Sequence, residues 1–303
     1  MKSPFKNENK TFLKLQDHTK GVLCIIGAAF GFSMMSACVR LAGPGVPSVQ
    51  KAFFRNFIAL LFVSGIMIRK RISLKPERGN IGYLFGRAFC GTVGLLCNFY
   101  AIDHLLLADA NMLNKLSPFF AILLSVFILK EKPNIVQILG VTVALTGSMF
   151  IVKPGFQNTE ISAAIWGLLG GAGAGAAYTF VRKLGLRGEN STRIIFFFSA
   201  FSCLVCLPYI AFHFTPMTFR ETLFLVLSGV GACIGQFGIT KAYLFAPAKE
   251  ISVYDYTQVL FAALLGFVLF GQMPDIFSVI GYLLICGAGI FMFFYNKQNP
   301  KKA

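Results

Sequence analysis

The chain has 303 residues, of which 56% are apolar and 13% charged, Phe alone contributes 34, and its 28 Lys and Arg outnumber 12 Asp and Glu to give a net charge of +16. Soluble domains carry about 25% charged residues, so this composition excludes a water-soluble globular enzyme and points to an all-α integral membrane protein. No G-x-x-x-x-G-K-[ST] sequence occurs and no soluble stretch is long enough for an ATPase domain, which excludes a nucleotide-driven pump.

Residues 1–20 form a polar tail, ten spans follow at 21–42, 49–68, 80–102, 109–129, 133–152, 161–181, 193–213, 221–241, 251–271 and 276–295, and residues 296–303 form a second tail. Each span is about 20 residues, the length that crosses roughly 30 Å of hydrocarbon at about 1.5 Å per residue. The first apolar stretch is too long for the h-region of a signal peptide and is expected to remain as an anchor.

Polar groups inside these spans are the candidates for chemistry. The second span holds Arg55 and Asn56 and the third Arg87 and Asn98; both arginines lie six or seven residues from a membrane end and are assigned structural roles. Asn98 and, on the equivalent eighth span, Gln236 sit mid-span and read either as cavity-lining groups or as helix-to-helix hydrogen bonds.

The fourth span opens on ADANMLNKLSP. Asn111, Asn114, Lys115 and Pro118 fall at i, i+3, i+4 and i+7, one helical face. Lys115 lies roughly 9 Å inside its span, where a lysine costs on the order of 3 kcal/mol. A side chain that snorkels to the interface is one reading; a polar stripe confined to one face favours a lining role in a solute path. Neutralising a costly membrane charge is expected to leave the fold intact. Pro118 is a helix break, because it offers no N–H to the Asn114 carbonyl.

In the Gly-rich sixth span Gly167, Gly171 and Gly175 recur every four residues and make a smooth face for close helix approach, not a phosphate loop. The eight cysteines all fall inside apolar spans and read as packing residues. His104 and His213 lie near the external face, with Asp103 and Asp109 close to His104 in sequence; four such residues could make a metal site, but each is explained as a polar loop group, so no metal and no cofactor is expected.

The ninth span repeats the stripe of the fourth with other chemistry: Ser252, Asp255 and Gln258 share a face, flanked by Tyr254 and Tyr256. Asp255, four residues inside the span, reads either as a path-lining acid or as an interfacial one.

Short cytoplasmic loops retain Lys and Arg. With the N-terminus inside, 21 of the 28 basic residues fall on the cytoplasmic side, including the RKRISLKPER loop, four fall outside, and three lie within spans. Both termini are therefore expected to be cytoplasmic. The basic excess reflects this bias and contact with anionic headgroups, not a nucleic-acid surface.

Sliding the chain by 141 residues sets FFAILLSVFILKEKPNIVQILG, from Phe119, on LFAALLGFVLFGQMPDIFSVIG, from Leu260. The chain is read as two units, residues 21–152 and 161–295, of five spans each. An odd span number makes the units enter the membrane from opposite sides, the inverted-topology repeat recurrent in secondary transporters, whose substrate site lies near the midplane between units. Lys115 and Asp255 hold nearly equivalent positions, and by rise alone they would sit roughly 15 Å apart along the membrane normal. A direct ion pair is therefore not expected; each charge guards one end of a path.

The segments FFRNFIALL and NFYAIDHLLLADANMLNKLSPFFAILLSVFILKEKP, with Tyr100, Ala101, Pro118 and Glu131, resemble the EamA-type drug/metabolite transporter family over residues 20 to 295. In the second unit Val259 and Gln272 stand where the first has Pro118 and Glu131. The resemblance implies a carrier of the bacterial cytoplasmic membrane that moves small metabolites, often amino acids or related compounds, without a nucleotide cofactor. The candidate substrate-binding residues are Asn98, Asn111, Asn114, Lys115, Gln236, Ser252, Tyr254, Asp255 and Gln258. An intramembrane lipid-modifying enzyme would show a clustered acid or His/Asp constellation, and a passive channel a ring of repeated selectivity groups; neither is readable.

Overall fold

The computed structural model describes residues 5–128, 135–152, 161–245 and 252–298. The regular elements among them are all helical: α1 (Phe5–Leu41), α2 (Ser48–Arg69), α3 (Ile81–His104), α4 (Leu107–Asn114), α5 (Ser117–Ile128), α6 (Ile135–Val152), α7 (Ile161–Leu186), α8 (Ser191–His213), α9 (Phe219–Phe245), a 3-10 turn (Ser252–Tyr256), α10 (Thr257–Phe270) and α11 (Ile276–Gln298). Seven of these are long and apolar enough to cross a membrane: α1 from Thr19, α2, α3, α7, α8, α9 and α11.

The remaining three predicted spans differ from the continuous helices expected. The fifth and ninth correspond to shorter apolar helices, Ile135–Ile151 and Tyr254–Phe270. The fourth is two helices, because α4 ends at Asn114 and Lys115 leaves helical geometry at φ −73° and ψ 2°. Pro118 then sits in the first turn of α5, where its missing N–H costs nothing. Backbone bonding tightens across the break, with the Leu116 N–H donating to the Leu113 carbonyl at 3.2 Å and the Phe119 N–H to the Leu116 carbonyl at 2.9 Å. The ninth span is altered at the equivalent place, where the 3-10 turn precedes α10. At its far end α10 stops at Gly271 in the left-handed region (φ 64°), and the N–H groups of Gly271 and Gln272 close onto Phe267 and Gly266.

The surface has the polarity of a membrane protein. Phe127, Phe212 and Phe219 are 77 to 84% exposed, whereas Gln50, Lys51 and Asn56 are fully buried. Large apolar side chains face outward and small or polar ones face neighbouring helices, as expected where lipid removes the hydrophobic drive to bury them.

The main helix pairings are α1 with α9, α3 with α7, α2 with α8, and α6 with α11. Exchanging the two sequence units maps the first two onto each other and the last two onto themselves. The contact of α1 with α10 is likewise matched by that of α7 with α4 and α5. Close approach needs glycine at these crossings. A Cβ on Gly173 would stand 2.7 Å from the Gly94 Cα, and one on Gly231 would stand 2.8 Å from the Gly31 carbonyl.

Polar ties close both ends of the bundle. At one end Lys51 pairs with Asp103 at 2.5 Å, Arg40 donates to the Leu105 carbonyl, and the Leu107 N–H donates to Gln272 at 3.0 Å. At the other, Glu189 receives Arg193, Asn80 and the Glu77 N–H.

Candidate functional site

Between the two units lies a cavity of about 100 Å³. The first unit contributes Ser36 from α1, Arg55 from α2, Arg87 and Asn98 from α3, and Asn114, Lys115 and Ser117 from the break between α4 and α5. The second contributes Tyr178 from α7, Phe198 from α8, Gln236 from α9, Asp255 from the 3-10 turn and Gln258 from α10.

The two altered helices make the central contact. The Lys115 ammonium donates to the Asp255 carboxylate at 2.6 Å, with side chains 9% and 20% exposed. This corrects the expectation that the two charges are separated along the membrane normal. That expectation assumed straight α-helices. The chain leaves helical geometry at Lys115, and Asp255 lies in a 3-10 turn and not in an α-helix, so depth cannot be counted at about 1.5 Å per residue through either segment. The second Asp255 oxygen, Oδ1, is buried without a hydrogen-bond partner among the described residues.

Glycines on α7 let the broken backbone approach. A Cβ on Gly171 would stand 2.6 Å from the Leu113 carbonyl, and one on Gly175 would stand 2.6 Å from the Ser117 carbonyl. The four-residue glycine spacing read from the sequence is therefore the seat for the interrupted fourth span.

Asn111 lies beside the cavity rather than on it. Its carbonyl oxygen accepts from Gln258 Nε2 at 2.7 Å and from the Ser36 hydroxyl at 3.2 Å, and its amide donates to the Leu107 carbonyl at 2.7 Å. The Ser33 hydroxyl donates to the Gln258 carbonyl at 2.8 Å. These bonds join α1, α4 and α10 behind the ion pair and leave Asn111 with no free capacity on its amide oxygen.

Of the residues singled out from the sequence, Asn98, Asn114, Lys115, Gln236, Asp255 and Gln258 line the cavity, and Asn111 braces Gln258. Tyr254 is 36% exposed and is not brought to the cavity wall. The turn at Tyr254 is held instead through its backbone, whose carbonyl accepts from the Thr257 hydroxyl at 2.6 Å. Ser252 opens the 3-10 turn, and its side chain is outside the described set.

The sequence reading missed Arg55, Arg87 and Tyr178 as lining groups. Both arginines were assigned structural roles from their distance to a membrane end, yet each reaches the same ring: the guanidinium carbons of Arg55 and Arg87 lie 5.7 and 4.1 Å from the centroid of Phe198. The available signal was that neither had an acid at helical spacing to neutralise it.

The EamA-like transporter family model matches residues 19–153 and 161–295. Over 272 residues the chain is 35% identical to the pseudopaline exporter CntI of Pseudomonas aeruginosa, covering 89% of this chain and 94% of that one. It is 22% identical to the S-adenosylmethionine uptake transporter of Rickettsia prowazekii (94% of this chain, 96% of that one) and 25% identical to human solute carrier family 35 member G1 (89% and 78%). A solved crystal structure shares the fold with a TM-score of 0.61 at 17% identity, covering 92% of this chain and 98% of that one.

Proposed function

We propose, on the premise that the chain belongs to the EamA-like transporter family, that it is a secondary carrier which moves a small polar metabolite, an amino acid or related compound, by alternating access. It acts as a carrier and not as an enzyme. Ten spans in two inverted five-span units are the architecture of this reading, residues 21–152 forming one and 161–295 the other. The matched helix pairings support it, because a two-fold relation between units is what lets one packing open on one side and its counterpart on the other. The membrane is the bacterial cytoplasmic one, with both termini inside as the loop charges require.

The observation that carries the reading is the ion pair between Lys115 of the first unit and Asp255 of the second, set in a cavity to which both units contribute. A zwitterion has one group for each partner: its carboxylate replaces Asp255 on Lys115, and its ammonium replaces Lys115 on Asp255. One ion pair becomes two, so the empty and loaded states are both neutralised while the units rock. The similar proteins include a named exporter and a named uptake transporter, so one architecture serves both directions, and gradients and coupling set which is used.

Proteoliposomes test this. Expected is saturable uptake of a labelled amino acid that is accelerated by unlabelled solute inside. Flux that never saturates and shows no counterflow identifies a channel, and no flux with turnover of lipid identifies an enzyme.

A further inference from the structure

We infer that the solute carries an acid group beyond the zwitterion, held by Arg55 and Arg87 on the face of Phe198, so that acidic amino acids and their relatives are the substrate class. This rests on the carrier reading of the same cavity and adds to it a charge. Among the described residues, the charged side chains on the cavity wall are Arg55, Arg87, Lys115 and Asp255, three cations to one anion. Lys115 and Asp255 neutralise each other. The arginines are 3% and 6% exposed, and no carboxylate among the described residues forms an ion pair with either.

Part of their hydrogen-bonding capacity is also unused. Arg55 Nη1 donates to the Asn56 side chain at 2.6 Å, but Arg55 Nε and Arg87 Nε and Nη1 are buried without hydrogen-bond partners among the described residues. The Phe198 ring attracts the cations without accepting these N–H groups in the plane of the guanidinium. A buried, unpaired charge is costly, and unpaired guanidinium N–H donors match a carboxylate. The chain also makes room for it: a Cβ on Gly91 would collide with Arg87 Nη1 and stand 3.0 Å from Phe198, so glycine at this turn of α3 keeps the guanidinium in place. A cavity of about 100 Å³ is small beside the roughly 300–1,000 Å³ of drug-sized sites, which suits a solute of amino-acid size.

The test is thermal stabilisation of the purified full-length protein by L-aspartate, L-glutamate, their amides L-asparagine and L-glutamine, and inorganic phosphate. Expected is stabilisation by at least one acid at concentrations roughly tenfold or more below its amide, a difference of about 1.4 kcal/mol. Arg87→Gln and Arg55→Gln should erase that preference, and Arg87→Lys should keep part of it. If the glutamine variants do not fold, Gly91→Ala serves, since it displaces the same guanidinium and should weaken binding of the acid while sparing the amide. Equal potency of acid and amide, no stabilisation by either acid, or stabilisation by phosphate alone would overturn the inference. Counterflow separates this from the carrier reading. Counterflow of acid and amide with equal potency in the wild-type protein removes the second acid group and leaves the carrier. Acid-selective binding without any flux removes the carrier and leaves the site.

Discussion

The Lys115 ammonium and the Asp255 carboxylate lie 2.6 Å apart, although 140 residues and a change of repeat unit separate them. Neither sits in an uninterrupted α-helix: one follows the end of α4 and the other lies in the 3-10 turn before α10. The pair therefore changes what neutralising Lys115 should do. Removing the charge no longer relieves an isolated cost, because it leaves an acid unpaired.

Lys115→Gln and Asp255→Asn should each destabilise the purified protein, by up to about 3 kcal/mol, and the double variant should recover most of that loss. Thermal midpoints of the four proteins give the coupling. Strict additivity would falsify the pairing. Transport of a zwitterion should fall in both single variants and in the double, since each removes one of the two groups that the solute replaces.

Gly171→Leu should lower the yield of monodisperse protein, because even the first added carbon meets the Leu113 carbonyl. Overpacking of this kind costs about 1–3 kcal/mol. Leu168→Val on the same helix should stay near wild-type yield. Gel filtration of both, with normal yield of Gly171→Leu as the result against the close seat, is sufficient.

Glu189, in the loop between α7 and α8, gives the bundle a pH dependence. Burial disfavours its charge, but donors from Asn80, the Glu77 N–H and Arg193 outweigh that and hold its carboxyl below the ordinary value of 4.5. A depressed carboxylate contributes stability above its unfolded pKa and loses it as pH falls through the folded one. Thermal stability should therefore decline as pH drops below about 4.5, and Glu189→Gln should be less stable at neutral pH with a flatter acid limb. Parallel acid limbs for the two proteins would remove Glu189 from this role.

Orientation is checked by a membrane-impermeant thiol reagent on intact cells. All eight native cysteines are free and either buried or half-buried, which keeps background low. Ser73→Cys, in the exposed basic loop after α2, should be labelled only after the membrane is opened, and Pro216→Cys, in the loop before α9, without opening it. The reverse pattern inverts the topology and the direction assigned to each unit.

The sequence by itself determined the membrane class, the duplication and the family, because each is a property of composition or local pattern. A hydrocarbon core selects about 20 apolar residues wherever the chain crosses, and FFAILL and LFAALL keep their likeness whatever surrounds them. The stripe of Asn111, Asn114 and Lys115 was legible for the same reason, since helical period is local. Tertiary structure alone decided three things. It set the depth of Lys115 relative to Asp255, because a break and a 3-10 turn change the rise that a straight-helix estimate assumes. It turned Asn111 into a brace for Gln258, because a hydrogen-bond partner 147 residues away is invisible to periodicity. It brought Arg55 and Arg87 to one ring on α8: their distance from a membrane end suggested structure, but what a buried cation does depends on which acid stands beside it, and among the described residues none pairs with either.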